Sequence, residues 1–366
     1  LCRLVQDFMF LIFRLVKSSF LACKPYVWAV LLFIVLISLG SCFQVSAVST
    51  YRYDGSVDGL RRYLLDTKDA RVSIGLARDV YIAEPLEFAG NSLEIRGEGA
   101  RIIDLSGQGG LRLNKVQSLD LSDLEFVASP SRALDCIDQD CSGIFVSGRP
   151  GSDLKVALKN VSVIGAGGHG IHVRADDSNV FLRSRDSSIR SVGWSLSDRD
   201  GIRVDQTGSG SIQWHDKNSS FVGNGGDGVE LDEAGAGGVK VHLSGSVFEA
   251  NGAYFFGRSG EEGFADVSEK TGFDLDDGFD IDEEGDGDVR AVLKRVRVLS
   301  NFDEGIDFDE LNSGLLSVEI KDSTVLSWFD ESISLSGGGE AADHCLLVNV
   351  VSGPVDSLPD GCRRLS

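Results

Sequence analysis

From residue 71 onward the chain alternates apolar and polar residues over short runs. Examples are "LEIRGEGARIIDLSG", "GLRLNKVQSLDLSDLEFV" and "LKVALKNVSVIGAG", with Gly or Asn between the runs. A period of two places one set of side chains in a core and the other outside, so these runs predict β-strands. One segment before them differs. In "VDGLRRYLLDTKD" the apolar residues Val57, Leu60, Leu64 and Leu65 fall at helical spacing, which predicts a short amphipathic helix. No other stretch of this region carries that period.

The strands repeat. Aligned on one recurring Gly, "SGIFVS", "HGIHVR", "DGIRVD", "DGVELD", "DGFDID", "EGIDFD" and "ESISLS" begin at positions 142, 169, 200, 227, 277, 304 and 331. The interval is 27 residues four times and 31 once. One interval of 50 holds a further, irregular coil, assigned to "NGAYFFG" at 251–257. A fixed period with two or three short strands in each unit predicts one polypeptide coil per repeat, stacked as a β-solenoid. Composition agrees: 44 Gly and only 6 Pro suit many tight turns with few breaks.

A short helix, then "LEIRGEGARII", then coils of the form Asn-x-x-x-Gly-φ-x-φ-Asp resemble the right-handed parallel β-helix, or pectate-lyase-like, superfamily. The resemblance covers about residues 52–340. It implies an all-β fold, a right-handed parallel β-helix whose N-terminal end is capped by the helix. It also implies an Asn ladder stacked inside a turn, formed by Asn224, Asn251 and Asn301 with Asp274 in the same place. It says little about chemistry, because the superfamily holds lyases, hydrolases, epimerases and non-enzymes.

Charge changes the picture most. The formal net charge is −21, and "DDGFDIDEEGDGD" at 276–288 contains no Lys or Arg. In the strand register Phe279 and Ile281 point inward, and Asp280 and Asp282 point outward. One coil later Ile306 and Phe308 point inward, and Asp307 and Asp309 outward. Two further acidic columns precede the Gly: Asp276, Asp303 and Asp330, then Asp277, Glu304 and Glu331. Neighbouring strands are about 4.8 Å apart, and two carboxylates at such a distance repel by roughly 3 kcal/mol at an effective dielectric of 20. Protons, solvent and salt, or cations must offset this. Calcium is the expected cofactor, held by Asp277, Asp280, Asp282, Glu304, Asp307 and Asp309, because it accepts six to eight oxygens in irregular geometry. A salt-screened acidic surface is the alternative.

The outward positions change character along the axis. His172 and Arg174 come first, then Arg203 and Asp205, then Glu230 and Asp232, then an aromatic coil, then the acidic array. Such a mixed face suits a sugar chain. His172, Arg174, Tyr254 and Phe256 are expected to bind substrate. Arg203, Asp205, Glu230 and Asp232 are the candidate catalytic groups, for a calcium-assisted lyase with an Arg base or for a glycosidase using two carboxylates. The Gly168-His169-Gly170 triplet resembles one found in polygalacturonase-like enzymes, but no Arg-x-Lys follows in place. The expected function is action on, or binding of, an extracellular polysaccharide. The alternative is a non-catalytic surface or structural lipoprotein that binds glycan or calcium. At this charge no nucleic-acid partner is expected, and a monomer is.

The first 41 residues read as a leader. Arg3, Arg14, Lys17 and Lys24 precede the apolar run "YVWAVLLFIVLISLG", which is short for a membrane span and suits a secretory signal. Leu39-Gly40-Ser41-Cys42 resembles the bacterial lipobox, which implies cleavage before Cys42, lipidation of its thiol and a membrane anchor. Cleavage after Ala47 is the competing reading. The expected organisation is a signal peptide at 1–41, a linker at 42–56 and a β-helix domain from 57 to 366, with a C-terminal cap from about 337. The protein would then reside in the cell envelope, periplasmic, surface-exposed or anchored to the outer membrane. In an exported chain Cys136, Cys141, Cys345 and Cys362 read as disulfides. Of the three pairings, 136–141 and 345–362 are the sequence-local ones. Zinc is disfavoured because no His or second Cys pair stands at finger spacing.

Overall fold

A computed structural model of the chain describes residues 48–67, 71–128, 140–193, 198–253, 276–328, 331–337, 344–355 and 362–365. The described strands form two sheets, one of twenty strands (sheet A) and one of nine (sheet B), and every described pairing is parallel. Each coil contributes to both sheets, so the chain is a parallel β-helix. Sheet B is the stack of the Gly-led strands. Its members run from Leu86–Phe88 through Ile171–Asp176, Ile202–Gly208, Val229–Gly235, Phe279–Glu283 and Ile306–Glu310 to Ile333–Gly337.

Close packing explains the recurring Gly. A Cβ at Gly170, Gly201, Gly228 or Gly278 would meet the carbonyl oxygen of the next coil's Gly at 2.5 Å or less. No side chain fits there, so the residue type is fixed by the stacking distance. A second corner lies at the end of the long strands of sheet A. There Asn160, Asp186, Asn218, Gly245, Arg295, Asp322 and Asn349 all adopt positive φ, between 50° and 72°. Asn, Asp and Gly tolerate that conformation best. Their amides also link successive coils, as in Asn218 Nδ2 to Asp186 Oδ1 at 3.1 Å.

The core is a stack of inward-facing apolar columns. Ile202, Val229, Phe279, Ile306 and Ile333 form one, all fully buried. The rings of Phe221, Phe248 and Phe279 stack at 5.0 and 5.4 Å, and Trp214 packs edge-on against all three. The expected Asn ladder is present. Asn224 donates to Asn251 Oδ1 at 3.0 Å and Asn251 to Asn301 Oδ1 at 2.9 Å, all fully buried. Asp274 lies outside the described residues.

The helix spans Val57–Asp66 and begins at Ser56, whose side chain accepts from the Gly59 amide at 3.0 Å. Leu60 and Leu64 are buried, whereas Leu65, expected on the same face, is exposed. The strand Val48–Arg52 precedes the helix and pairs with Arg71–Gly75, within the stretch expected as linker. At the other end His344–Val348 pairs with Leu316–Lys321, so the stack continues past residue 337. Cys345 in that strand is disulfide-bonded to Cys362. Cys141 is also in a disulfide. Its expected partner Cys136 lies outside the described residues, as do the leader and Cys42.

Candidate functional site: a charged network on sheet B

Four rungs of sheet B place the site. Their registers put His172 beside Arg203, Arg203 beside Glu230, and Glu230 beside Asp280. Two residues on, Arg174, Asp205, Asp232 and Asp282 form the adjacent column. All eight are held on the outer face by the inward positions between the columns, such as Val204 and Leu231. The sequence-predicted residues that fall in the described regions are therefore brought together in the order the repeat implied. Tyr254 and Phe256, expected to bind substrate, lie outside the described residues.

Arg203 organises the network. Its Nε donates to Asp205 Oδ1 at 2.8 Å, Nη1 to Asp198 Oδ1 at 2.8 Å and to Glu230, and Nη2 to Asp232. Asp200 Oδ2 stands 3.8 Å from Nη1. Burial alone would lower the pKa of this guanidinium, but Glu230, Asp200, Asp232 and Asp205 outweigh it and hold the group protonated. Its planar fork is what lets one residue reach so many carboxylates.

His172 extends the chain of contacts. Nδ1 lies 2.6 Å from Asp140 Oδ2 and Nε2 lies 2.8 Å from Asp205 Oδ2. Two carboxylates on the two ring nitrogens require both to carry protons, so the ring is an imidazolium. Burial opposes that charge, and the hydrogen bonds to Asp140 and Asp205 override it and raise the pKa. In return Asp140 and Asp205, although largely buried, are held well below the usual carboxylate range. The His172 ring is 3% exposed. Arg174 is the exposed cation of the group and donates from Nε to Asp205 Oδ2 at 3.1 Å.

Glu230 and Asp232 behave differently. Burial and the neighbouring Asp200 and Asp232 push Glu230 well above the usual range. For Asp232, burial outweighs the pull of Arg203 and moves the pKa to about 6. One Asp232 oxygen accepts from Arg203, and Oδ1 is sheltered from solvent. The network thus holds an ionised carboxylate (Asp205), a carboxyl near neutrality (Asp232) and a protonated one (Glu230) within two adjacent rungs.

The acidic columns farther along are layered rather than a single flat array. Asp277 is buried and its Oδ1 accepts from the Glu304 amide at 2.8 Å. Asp200 Oδ1 likewise accepts from the Asp227 amide at 3.0 Å, and Asp227 Oδ1 from the Asp277 amide. The carboxylate before each Gly therefore caps the next coil's backbone. Asp280 is on the outer face yet only 4% exposed, while Asp282, Asp307 and Asp309 are half-buried. Asp280 pairs in register with Asp307, and Asp282 with Asp309, as the repeat predicts. Oxygens of Asp227, Glu230 and Asp280 lie within 4.8 Å of one another, as do those of Glu230, Asp232 and Asp282 and those of Asp277, Asp303 and Glu304.

Several partners were not singled out by the sequence reading. Asp140 sits beside Cys141 in a segment without periodicity, so nothing local linked it to His172. Asp198 and Asp200 flank the repeat position and carried no mark of Arg203. His169 of the Gly-His-Gly triplet is buried, with Nδ1 3.0 Å from Asp200 Oδ2, where it joins the pre-Gly column. An inward column of Gln206, Glu233, Glu283 and Glu310 was also missed. All four are at most 1% exposed. Its signal is the phrase Glu-x-Gly-x-Gly at 233–237 and 283–287. Comparison with known protein families, with curated proteins and with solved structures finds no match for this chain.

Proposed function

We propose that the protein acts on an extracellular polysaccharide along the outer face of sheet B, cleaving a glycosidic bond by hydrolysis. This reading places the chain among the pectate-lyase-like β-helices and rests on one observation. Glu230 and Asp232 share Arg203, and their environments push their protonation apart, which is how a carboxyl pair acquires separate acid and base roles. Glu230, kept protonated, is the general acid toward the leaving oxygen. Asp232, ionised above about pH 6, is the base that takes the proton of water. Arg203 holds both in place, and His172 positions Asp205. A lyase mechanism with Arg203 as base has less support, because the guanidinium is held protonated by its carboxylates.

Calcium fits the donor chemistry of the same face. The three oxygen clusters contain only carboxylates, hard ligands of the kind calcium takes. Asp277, Asp303 and Glu304 would hold one ion beside the catalytic pair; in the second reading, where Glu230 carries no catalytic proton, Asp227, Glu230 and Asp280 would hold another. A bound cation would supply positive charge where Asp227 and Asp277 otherwise carry protons, since burial and neighbouring acids raise both well above the usual range. The second reading, a calcium-dependent glycan-binding or structural protein, draws on these clusters. Export and a lipid anchor at Cys42 are proposed on the leader sequence.

The test is a panel of neutral and uronate polysaccharides incubated with the exported protein, with and without calcium. New reducing ends that disappear in Asp232→Asn support hydrolysis. Unsaturated ends would point to a lyase. Binding without products would favour the second reading.

A further inference from the structure

The outer face of the long sheet A strands is basic. One column in unbroken register reads Lys159, Arg185, Lys217, Ser244, Lys294 and Lys321. Five of these six rungs carry a cation, in a chain whose net charge is −21. Arg185 and Lys321 are paired with carboxylates one or two residues away on their own strands. Lys159, Lys217 and Lys294 are exposed, and no ion pair engages them among the described residues. Four residues before the first, fourth and fifth members, Lys155, Lys240 and Arg290 add exposed cations in a second, parallel column.

Between the two cationic columns stand Ala157, Arg183, His215, His242, Val292 and Glu319. His215 and His242 stack with ring centroids 5.0 Å apart and planes within 4°. Burial, His242 and nearby Arg183 lower the His215 pKa, which keeps that ring uncharged at neutral pH. Gln213 and Ser244 lie on adjacent positions.

We infer that this face binds a linear polyanionic glycan, carboxylated or sulfated, lying along the helix axis. The strand stacking sets the charge repeat at about 4.8 Å, so a chain bearing an anion on successive sugars meets a cation on nearly every rung. His215 and His242 between the columns, with Gln213 and Ser244 within them, supply hydrogen bonds for sugar hydroxyls, which a bare charge stripe would not. Self-association of this basic face with the acidic face of a second copy is disfavoured by geometry, because Asp277, Asp280 and Glu230 are buried. This site is separate from the Glu230–Asp232 centre, so each stands or falls alone.

The experiment measures retention of the full exported protein on immobilised dextran sulfate and on polygalacturonate, against neutral dextran, over a salt series. The triple variant Lys159→Gln/Lys217→Gln/Lys294→Gln should bind at least tenfold more weakly and with a shallower salt dependence. Glu319→Gln, which releases Lys321, should bind more tightly, so the test does not depend on loss alone. Unchanged retention in the triple variant overturns the inference. So does a wild-type protein that ignores both polyanions but binds anionic vesicles or DNA, or one that binds none of the probes.

Discussion

At the scale of single residues, Arg203 decides how the site is built. Removing a guanidinium from buried carboxylates leaves uncompensated charge, which costs about 3–5 kcal/mol when a buried pair is broken. Arg203→Ala should therefore lower the melting temperature by several degrees at pH 7. Arg203→Lys should recover little, because one ammonium cannot span the positions reached by the fork. The loss should shrink below about pH 6, where Asp232 takes up its proton, but not vanish, because His172 keeps Asp205 ionised. Thermal denaturation of the three proteins at pH 7 and pH 4.5 measures this. The partners of Arg203 were only half legible in the sequence. Asp205, Glu230 and Asp232 followed from the period of two and the repeat of 27. Asp198 precedes the strand, and Asp140 stands in an aperiodic segment, so no pattern tied either to its partner.

Among elements, the inward column of Gln206, Glu233, Glu283 and Glu310 sets how stability varies with pH. Glu283 Oε1 accepts from the amides of Gly285 and Gly287 at 3.1 Å, and Glu310 Oε1 from Asn312 and Gly314 at 3.1 and 2.9 Å. These carboxylates shape the glycine turn. Glu233 is fully buried beside Glu283. Burial, with the neighbouring Glu283, moves its pKa to about 8. Between the ordinary Glu value of 4.5 and about 8, the folded chain holds this proton and the unfolded chain does not. Folding then takes up a proton, and stability falls as pH rises through that window, by about 1.4 kcal/mol per pH unit for one group. Glu233→Gln should flatten the decline and leave the variant more stable than wild type at pH 8.5. Denaturant midpoints at pH 5, 7 and 8.5 check it, and a wild type equally stable at all three would contradict it. The alternating strands and the capping helix were readable because periodicity reports burial directly. The Glu column was overlooked because the same alternation that places it inside conflicts with its charge, and tertiary neighbours, not local sequence, make that tolerable.

For the whole molecule, the two sheets present opposite charge, and the proposed calcium would act on sheet B alone. Binding to the native state alone stabilises by about 2.7 kcal/mol at a hundredfold excess over Kd. Calcium should raise the melting temperature and EDTA should lower it, with Asp280→Asn/Asp307→Asn responding less than wild type. An unchanged melting temperature with EDTA, together with a more stable double variant, would assign the offset of charge to protons and solvent. The β-helix itself was legible from the Gly-led repeat, since stacking distance dictates glycine at that position. The electrostatic split between faces was not, because the cations of sheet A are spread over strands whose register with one another appears only in three dimensions.

The central claim is that Asp232 and Glu230 work as base and acid on a glycan held at sheet B. The most direct measurement is the pH dependence of kcat/KM on the best substrate from the polysaccharide panel. The account predicts a bell whose rising limb lies near pH 6, where Asp232 ionises, and whose falling limb lies above it, where Glu230 loses its proton, with Asp232→Asn reduced at least a hundredfold. A flat profile from pH 5 to 8, or an Asp232→Asn variant as active as the wild type, would contradict it.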